Sequence, residues 1–236
     1  MIVQIYHLCS IERYMKILLL FFHLVTSNEG DANCLFLTKN NCASSDENQF
    51  GWGYSENDGP KIWAGKCATG KQQSPINIQQ KYAKVVNFPK LNFVNYDMIG
   101  SIKVINNGLT IMVSGMQEWN ENQPYISGGG LKYNYKLVQF HIHWSQINEN
   151  GSEHTIDGKH YPAEIHLLHI KEGQSMNDSL HQKDGIVVLS LMLELLREIR
   201  QKTGKQIHHN TRPVQPLNNR KVFFRQKSNS KWRRWK

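Results

Sequence analysis

Three histidines in the 236-residue chain are spaced so that they could build a metal site. In QFHIHW, Gln139 to Trp144, His141 and His143 lie on an alternating, aromatic-rich run; in AEIHLLHI, Ala163 to Ile170, His166 follows Glu164 by two. Side chains of an extended backbone alternate between faces, so Leu137, Gln139, His141 and His143 share one face and Val138, Phe140, Ile142 and Trp144 the other. The same rule sets Glu164, His166 and Leu168 opposite Ala163, Ile165, Leu167 and His169, and a neighbouring strand in that phase would aim His166 at the first pair. Three neutral imidazoles without a thiolate leave a fourth tetrahedral position for water, as in catalytic zinc sites. Ligand type makes Zn2+ the first candidate. Gln139 and Glu164 each stand two residues before a ligand on its own face, where a carbonyl or carboxylate can take the second ring N–H and fix the tautomer. His154, in GSEHT, is expected to make structural hydrogen bonds, and His169 to face the core.

Those histidines need strands to hold them. IKVINN, LTIMVSG, LVQFHIHW, AEIHLLHI and GIVVLSLML are the best strand candidates, divided by turn-rich stretches such as NNG at Asn106 to Gly108 and SGGG at Ser127 to Gly130. LELLREIRQK, Leu193 to Lys202, alone has a convincing helical pattern. No internal repeat is visible, and the composition, 39% hydrophobic, fits one globular domain with a buried core.

The net charge of +9 invites a nucleic-acid reading until it is located. Eight Lys or Arg and no acid fall between Arg220 and Lys236, and removing those eight leaves about +1 for the remainder. The basic character belongs to the tail, RKVFFRQKSNSKWRRWK, which is expected to be solvated, with weak contact to an acidic membrane surface as its most it could do. No nucleic-acid partner is expected. MKILLLFFHLV, Met15 to Val25, joins a lysine to a short apolar run and then polar residues, the layout of a secretory signal, with Met15 a possible true start. Cys34, Cys42 and Cys67 remain after such a leader, an odd number, and Asn150-Gly151-Ser152 and Asn177-Asp178-Ser179 are glycosylation triplets that agree with secretion.

Read in order, WGYSENDGPKIW, QQSPINI, INNG, QFHIHW, GSEHT, YPAEIHLLHI, DGIVVLSL and HHNTRPVQPLNNR resemble the α-class carbonic anhydrases, over residues 50 to about 220. The resemblance implies a mainly β, α+β fold: a twisted, mostly antiparallel central sheet with peripheral helices and zinc at the base of a conical cleft. It implies His141, His143 and His166 as zinc ligands with Gln139 and Glu164 behind them, and Glu153 as the buried glutamate that orients the nucleophile through a threonine. It also implies Tyr54 and Asn107 in the solvent network, and Leu168 and Val188 as the wall where carbon dioxide sits. The implied reaction is reversible hydration of carbon dioxide to bicarbonate, by a monomer, in the extracellular space.

Two departures bear on that reaction. Leu109 stands where the most active members of the family carry a proton-shuttling histidine. After VVLSLMLE the chain passes almost at once to LELLREIRQKTGK, and no string like SLTTPP, with its threonine, occurs, nor the cysteine that the family pairs with Cys67. The expectation is therefore an internally truncated domain at 50–220 with an incomplete sheet, an unpaired sheet edge and weakened catalysis. A leader at 1–30, an irregular segment at 31–49 and a basic tail at 221–236 complete the organisation. The alternative is a catalytically silent zinc-binding relative that acts as a binding module.

Overall fold

The computed structural model describes residues 52–193 and 209–225, together with the backbone of two N-terminal strands. In chain order the strands are β1 (Ile2–His7), β2 (Ile17–Leu24), β3 (Asn77–Ile78), β4 (Lys84–Val86), β5 (Leu91–Val94), β6 (Lys103–Asn106), β7 (Ile111–Ser114), β8 (Tyr125–Gly128), β9 (Tyr135–Trp144), β10 (Thr155–Ile156), β11 (Ala163–Lys171), β12 (Ile186–Leu193) and β13 (Phe223–Arg225). Two short helices, α1 (Lys66–Thr69) and α2 (Met176–Leu180), lie among them, the second capped by the Ser175 hydroxyl, which accepts from the Asp178 N–H. All five strand candidates of the sequence are strands here. The expected helix starts at Leu193, which ends β12, and its remainder lies outside the described residues.

Nine strands make one sheet in the order β1-β2-β12-β11-β9-β7-β6, with β8 also on β9 and β5 on β8. Every pairing within it is antiparallel. Ten residues long, β9 serves two neighbours on one side, giving Tyr135 and Lys136 to β8 and Gln139 to His141 to β7. On its other side β11 runs along its whole length, so β9 is a central strand with both edges paired. Buried side chains hold the layers together: Leu91, Ile126, Tyr135, Val187 and Leu189 form one cluster, and Ile76, Ile78, Ile156, Met192 and Val222 another.

The ends of this sheet differ. The apolar stretch with the layout of a leader supplies β2, which pairs Ile17–Leu24 with β12 over eight positions, so the edge at β12 is covered. At the other end β6 has no outer strand among the described residues. The ordered chain also continues past the domain limit expected near residue 220. Val222 is buried and β13 lies parallel to β4, which carries the fold to Arg225; residues 31–49 and the rest of the tail lie outside the described residues.

Candidate metal centre

The register of β9 and β11 builds the site. His166 stands directly opposite His141, and Glu164 opposite His143, so strand alternation turns all three imidazoles to one side. Their ring centroids lie 4.9, 5.3 and 4.5 Å apart, and one nitrogen from each comes within 4.8 Å of the others. All three side chains are buried.

One nitrogen of each ring is already spoken for. His141 Nδ1–H donates to Gln139 Oε1 at 3.0 Å, His143 Nδ1–H to the Asn210 carbonyl at 2.6 Å, and His166 Nε2–H to Glu164 Oε1 at 2.7 Å. Those bonds leave Nε2, Nε2 and Nδ1 as the free lone pairs. Nε2 of His143 and Nδ1 of His166 are buried with no hydrogen-bond partner among the described residues, which ordinary packing does not leave uncompensated. A cation that takes nitrogen ligands satisfies both, so the residues fit zinc. The electrostatics agree. Burial, then repulsion among the rings, holds His141 well below the usual histidine range, and burial with His166 beside it pushes His143 down to about 3. Both are neutral ligands at pH 7. His166 lies the other way: burial would lower it, but the carboxylates of Glu164 and Glu153 outweigh burial and raise it.

Glu164 is fully buried and organises more than one histidine. Its Oε2 accepts the backbone N–H groups of Glu153 and His154 at 2.9 and 2.8 Å, and its Oε1 accepts His154 Nδ1–H at 2.7 Å beside His166. Burial alone would raise its pKa; the two histidines and their hydrogen bonds hold it well below the carboxylate range. His154, Glu164 and His166 also group closely enough to suggest a second metal site, yet their nitrogens are joined by these hydrogen bonds to the carboxylate. The turn that brings them in needs Gly151, where an added Cβ would lie 1.7 Å from the Pro162 carbonyl oxygen.

Glu153 is buried beside the triad. Its Oε1 accepts the Arg212 N–H at 2.8 Å, and its Oε2 lies 3.9 Å from His166 Nδ1, with no hydroxyl group bonded to either oxygen among the described residues. Burial raises its pKa. Tyr54 joins an edge-to-face cluster with Trp52 and Trp63, and burial, then the charge of Glu153, raises its phenol well above the usual range. Asn107 spends its Oδ1 on the N–H groups of Leu109 and Thr110 at 3.0 and 2.8 Å, shaping the turn that carries Leu109. Leu168 and Val188 face each other across β11 and β12 and are buried with Val138, Leu180 and Ile186. His169 points into the core, where it meets the Tyr96 hydroxyl at 2.5 Å.

Two residues were missed by sequence reasoning although they lie in the quoted HHNTRP stretch. Asn210 takes the Trp144 N–H on Oδ1 at 2.7 Å and gives Nδ2–H to the carbonyls of Leu109 and Ile142 at 3.0 and 2.8 Å, besides its main-chain bond to His143. Arg212 gives Nη1–H to Gln73 Oε1 and the Ser74 carbonyl and Nη2–H to the Cys67 carbonyl, fastening this segment to the N-terminal part of the domain.

A family model described as eukaryotic-type carbonic anhydrase matches residues 58–202. Among curated proteins, the chain is 46% identical over 143 residues to "Putative carbonic anhydrase 5" of Caenorhabditis elegans, covering 61% of this chain and 46% of that one. It is 37% identical over 150 residues to human carbonic anhydrase 7, covering 61% and 55%, and 36% over 167 residues to rat carbonic anhydrase 4, covering 70% and 52%. The chain spans about half the length of the curated relatives it matches.

Proposed function

Since the chain belongs to the eukaryotic-type carbonic anhydrase family, we propose that it binds one zinc ion through His141, His143 and His166 and hydrates carbon dioxide reversibly, at a reduced rate. The observation that carries this reading is the pair of buried, partnerless nitrogens, Nε2 of His143 and Nδ1 of His166, facing the same space as His141. When bound, zinc supplies Lewis acidity, which in carbonic anhydrases is established to bring the pKa of a water to about 7, so that attack on carbon dioxide proceeds at neutral pH.

The protein's own groups do the rest. Gln139, the Asn210 carbonyl and Glu164 fix the three ring tautomers, each through one hydrogen bond. Leu168 and Val188 provide an apolar wall for an apolar substrate. Among the described residues Glu153 meets no hydroxyl through which it would orient the nucleophile, and losing such a positioning contact costs on the order of 3 kcal/mol, about a hundredfold in rate. Leu109 has no titratable group, so proton export falls to buffer.

The acceptor residues Asn150 and Asn177 are exposed, as glycosylation of a secreted chain requires, and this supports secretion. Cys67 is buried at α1, and a disulfide there belongs with the same reading.

Zinc content and carbon dioxide hydration measured on one monodisperse sample, with His143→Ala as control, test the proposal. Stoichiometric zinc with hydration above the control supports it; a protein that holds no zinc overturns it. That no hydroxyl among the described residues meets the Glu153 carboxylate favours one second reading, a silent zinc-binding module, which zinc-bound protein with hydration no faster than the control would establish.

A further inference from the structure

β6 is exposed along its whole length. Apolar side chains in it and just before it are open to water: Val104 is 62% exposed and Ile105 is exposed within the strand, and Ile99 is 99% and Ile102 52% exposed ahead of it, with Met98 exposed as well. One edge of β6 pairs with β7 in unbroken register from Lys103 to Asn106; the other edge meets no strand among the described residues. A cluster of this kind is unusual on a chain that stays single, because an edge strand with free N–H and C=O groups is a template for another strand.

Edges are ordinarily guarded by a free charge, a proline or a bulge. Here the register contains no bulge, the strand KVIN contains no proline, and its single charge is compensated within the chain, Lys103 Nζ lying 2.5 Å from Glu118 Oε1. Among the described residues the edge therefore presents a charge-compensated row, with β-branched Val104 and Ile105 at its centre and no strand on its outer ladder groups.

We propose that a second copy of this chain docks on that edge, β6 antiparallel to β6, so that one sheet runs through both copies. A two-fold axis perpendicular to the sheet maps each face onto itself, which limits the registers to those centred on a residue. Centred on Val104, the pairing sets Val104 against its counterpart, Ile102 against Asn106 and Lys103 against Ile105. Valine then packs on valine, the lysine stem on isoleucine, and no two lysines oppose each other. Centred on Ile105, the pairing sets Val104 against an amide and loses that contact. The Val104 register is the one assigned. The sequence reading expects a monomer; this bare edge is the observation against it. Five residues a side make a small contact, so the dimer forms with concentration rather than being permanent.

Sedimentation velocity of the full chain, from low to high micromolar concentration, tests the proposal. The wild type shifts from monomer to dimer across the range. Val104→Lys, which sets two lysines on the axis, stays monomeric with an unchanged urea midpoint. Ile105→Lys, which sets a lysine opposite Lys103, does the same and provides the test should the first variant fold poorly. Both positions are exposed, so neither change removes a core contact. A wild type that remains monomeric throughout, or variants that associate like the wild type, overturns the proposal. Neither outcome depends on zinc or on hydration.

Discussion

Replacing Asn210 by alanine removes three side-chain hydrogen bonds and leaves the main-chain bond to His143 in place. The three do not cost the same. The Ile142 carbonyl keeps a second donor, the Thr110 hydroxyl at 2.6 Å, so its loss is small. The Leu109 carbonyl loses its donor in a half-buried turn, a cost of about 1 kcal/mol. The Trp144 N–H, in a buried bond, is left orphaned, at about 1–3 kcal/mol. Together the change should cost about 3 kcal/mol, a large part of what a domain of this size has. Once the side chain lets go, the carbonyl aimed at His143 drifts, and loosening a ligand's partner commonly weakens metal binding 10–100-fold. Asn210→Asp keeps the acceptor for Trp144 but loses both donors and buries a charge, and should be no better than alanine. Urea unfolding of the metal-free protein and zinc competition against a chelator measure the two effects separately. An alanine variant within 1 kcal/mol of wild type, with unchanged zinc affinity, would refute the assignment of this residue as the lock on the ligand strand.

Further outcomes follow from the same geometry. Glu164→Gln should weaken zinc binding at least tenfold and lower the urea midpoint, because one carboxylate serves four donors, two of them ring N–H groups that an amide meets less well; unchanged zinc competition would contradict this. Ser190 is fully buried on β12 with its hydroxyl unpartnered among the described residues, so Ser190→Ala should raise stability by about 1 kcal/mol, read as an increased urea midpoint. His169, held neutral by burial with a pKa near 3, makes stability pH-dependent. Its folded pKa lies below the unfolded value near 6.5, so the unfolded chain binds the proton first. This contribution is complete above about pH 6.5 and fades as pH falls toward 3; at pH 5 it amounts to about 2 kcal/mol of lost stability. Urea midpoints of zinc-free protein that match at pH 7 and pH 5 would contradict it.

Alternation made the centre of the fold legible. Gln139, His141 and His143 on one phase and Glu164 and His166 on another need only neighbouring strands in register to converge, and both second-nitrogen acceptors lie two residues from their ligands. The acceptor for His143 was not legible in this way. It is a backbone carbonyl, and a carbonyl has no side-chain identity to read; the conspicuous feature of Asn210 was its place within a motif. The place of Ile17–Leu24 in the sheet was hidden for a different reason. Lysine, leucines and phenylalanines suit an export signal and a strand equally well, and composition does not report that β12 presents an edge of matching length. Glu153 was identified, but that Arg212 supplies its N–H donor follows only from chain closure.

The three imidazoles are not fixed on the same schedule. Gln139 reaches His141 and Glu164 reaches His166 from two positions away in sequence, whereas the carbonyl that fixes His143 comes from a residue 67 positions later. A folding chain therefore holds two ligands in their metal-binding tautomers as soon as β9 and β11 are extended, and the third only after the last long-range closure. Such non-local contacts form late. Because metal binding draws on the free energy of folding, the zinc uptake proposed above would stay weak until that closure is made. Zinc would then act as a proofreader of assembly, held firmly by finished molecules and released by those whose final segment has not yet come home.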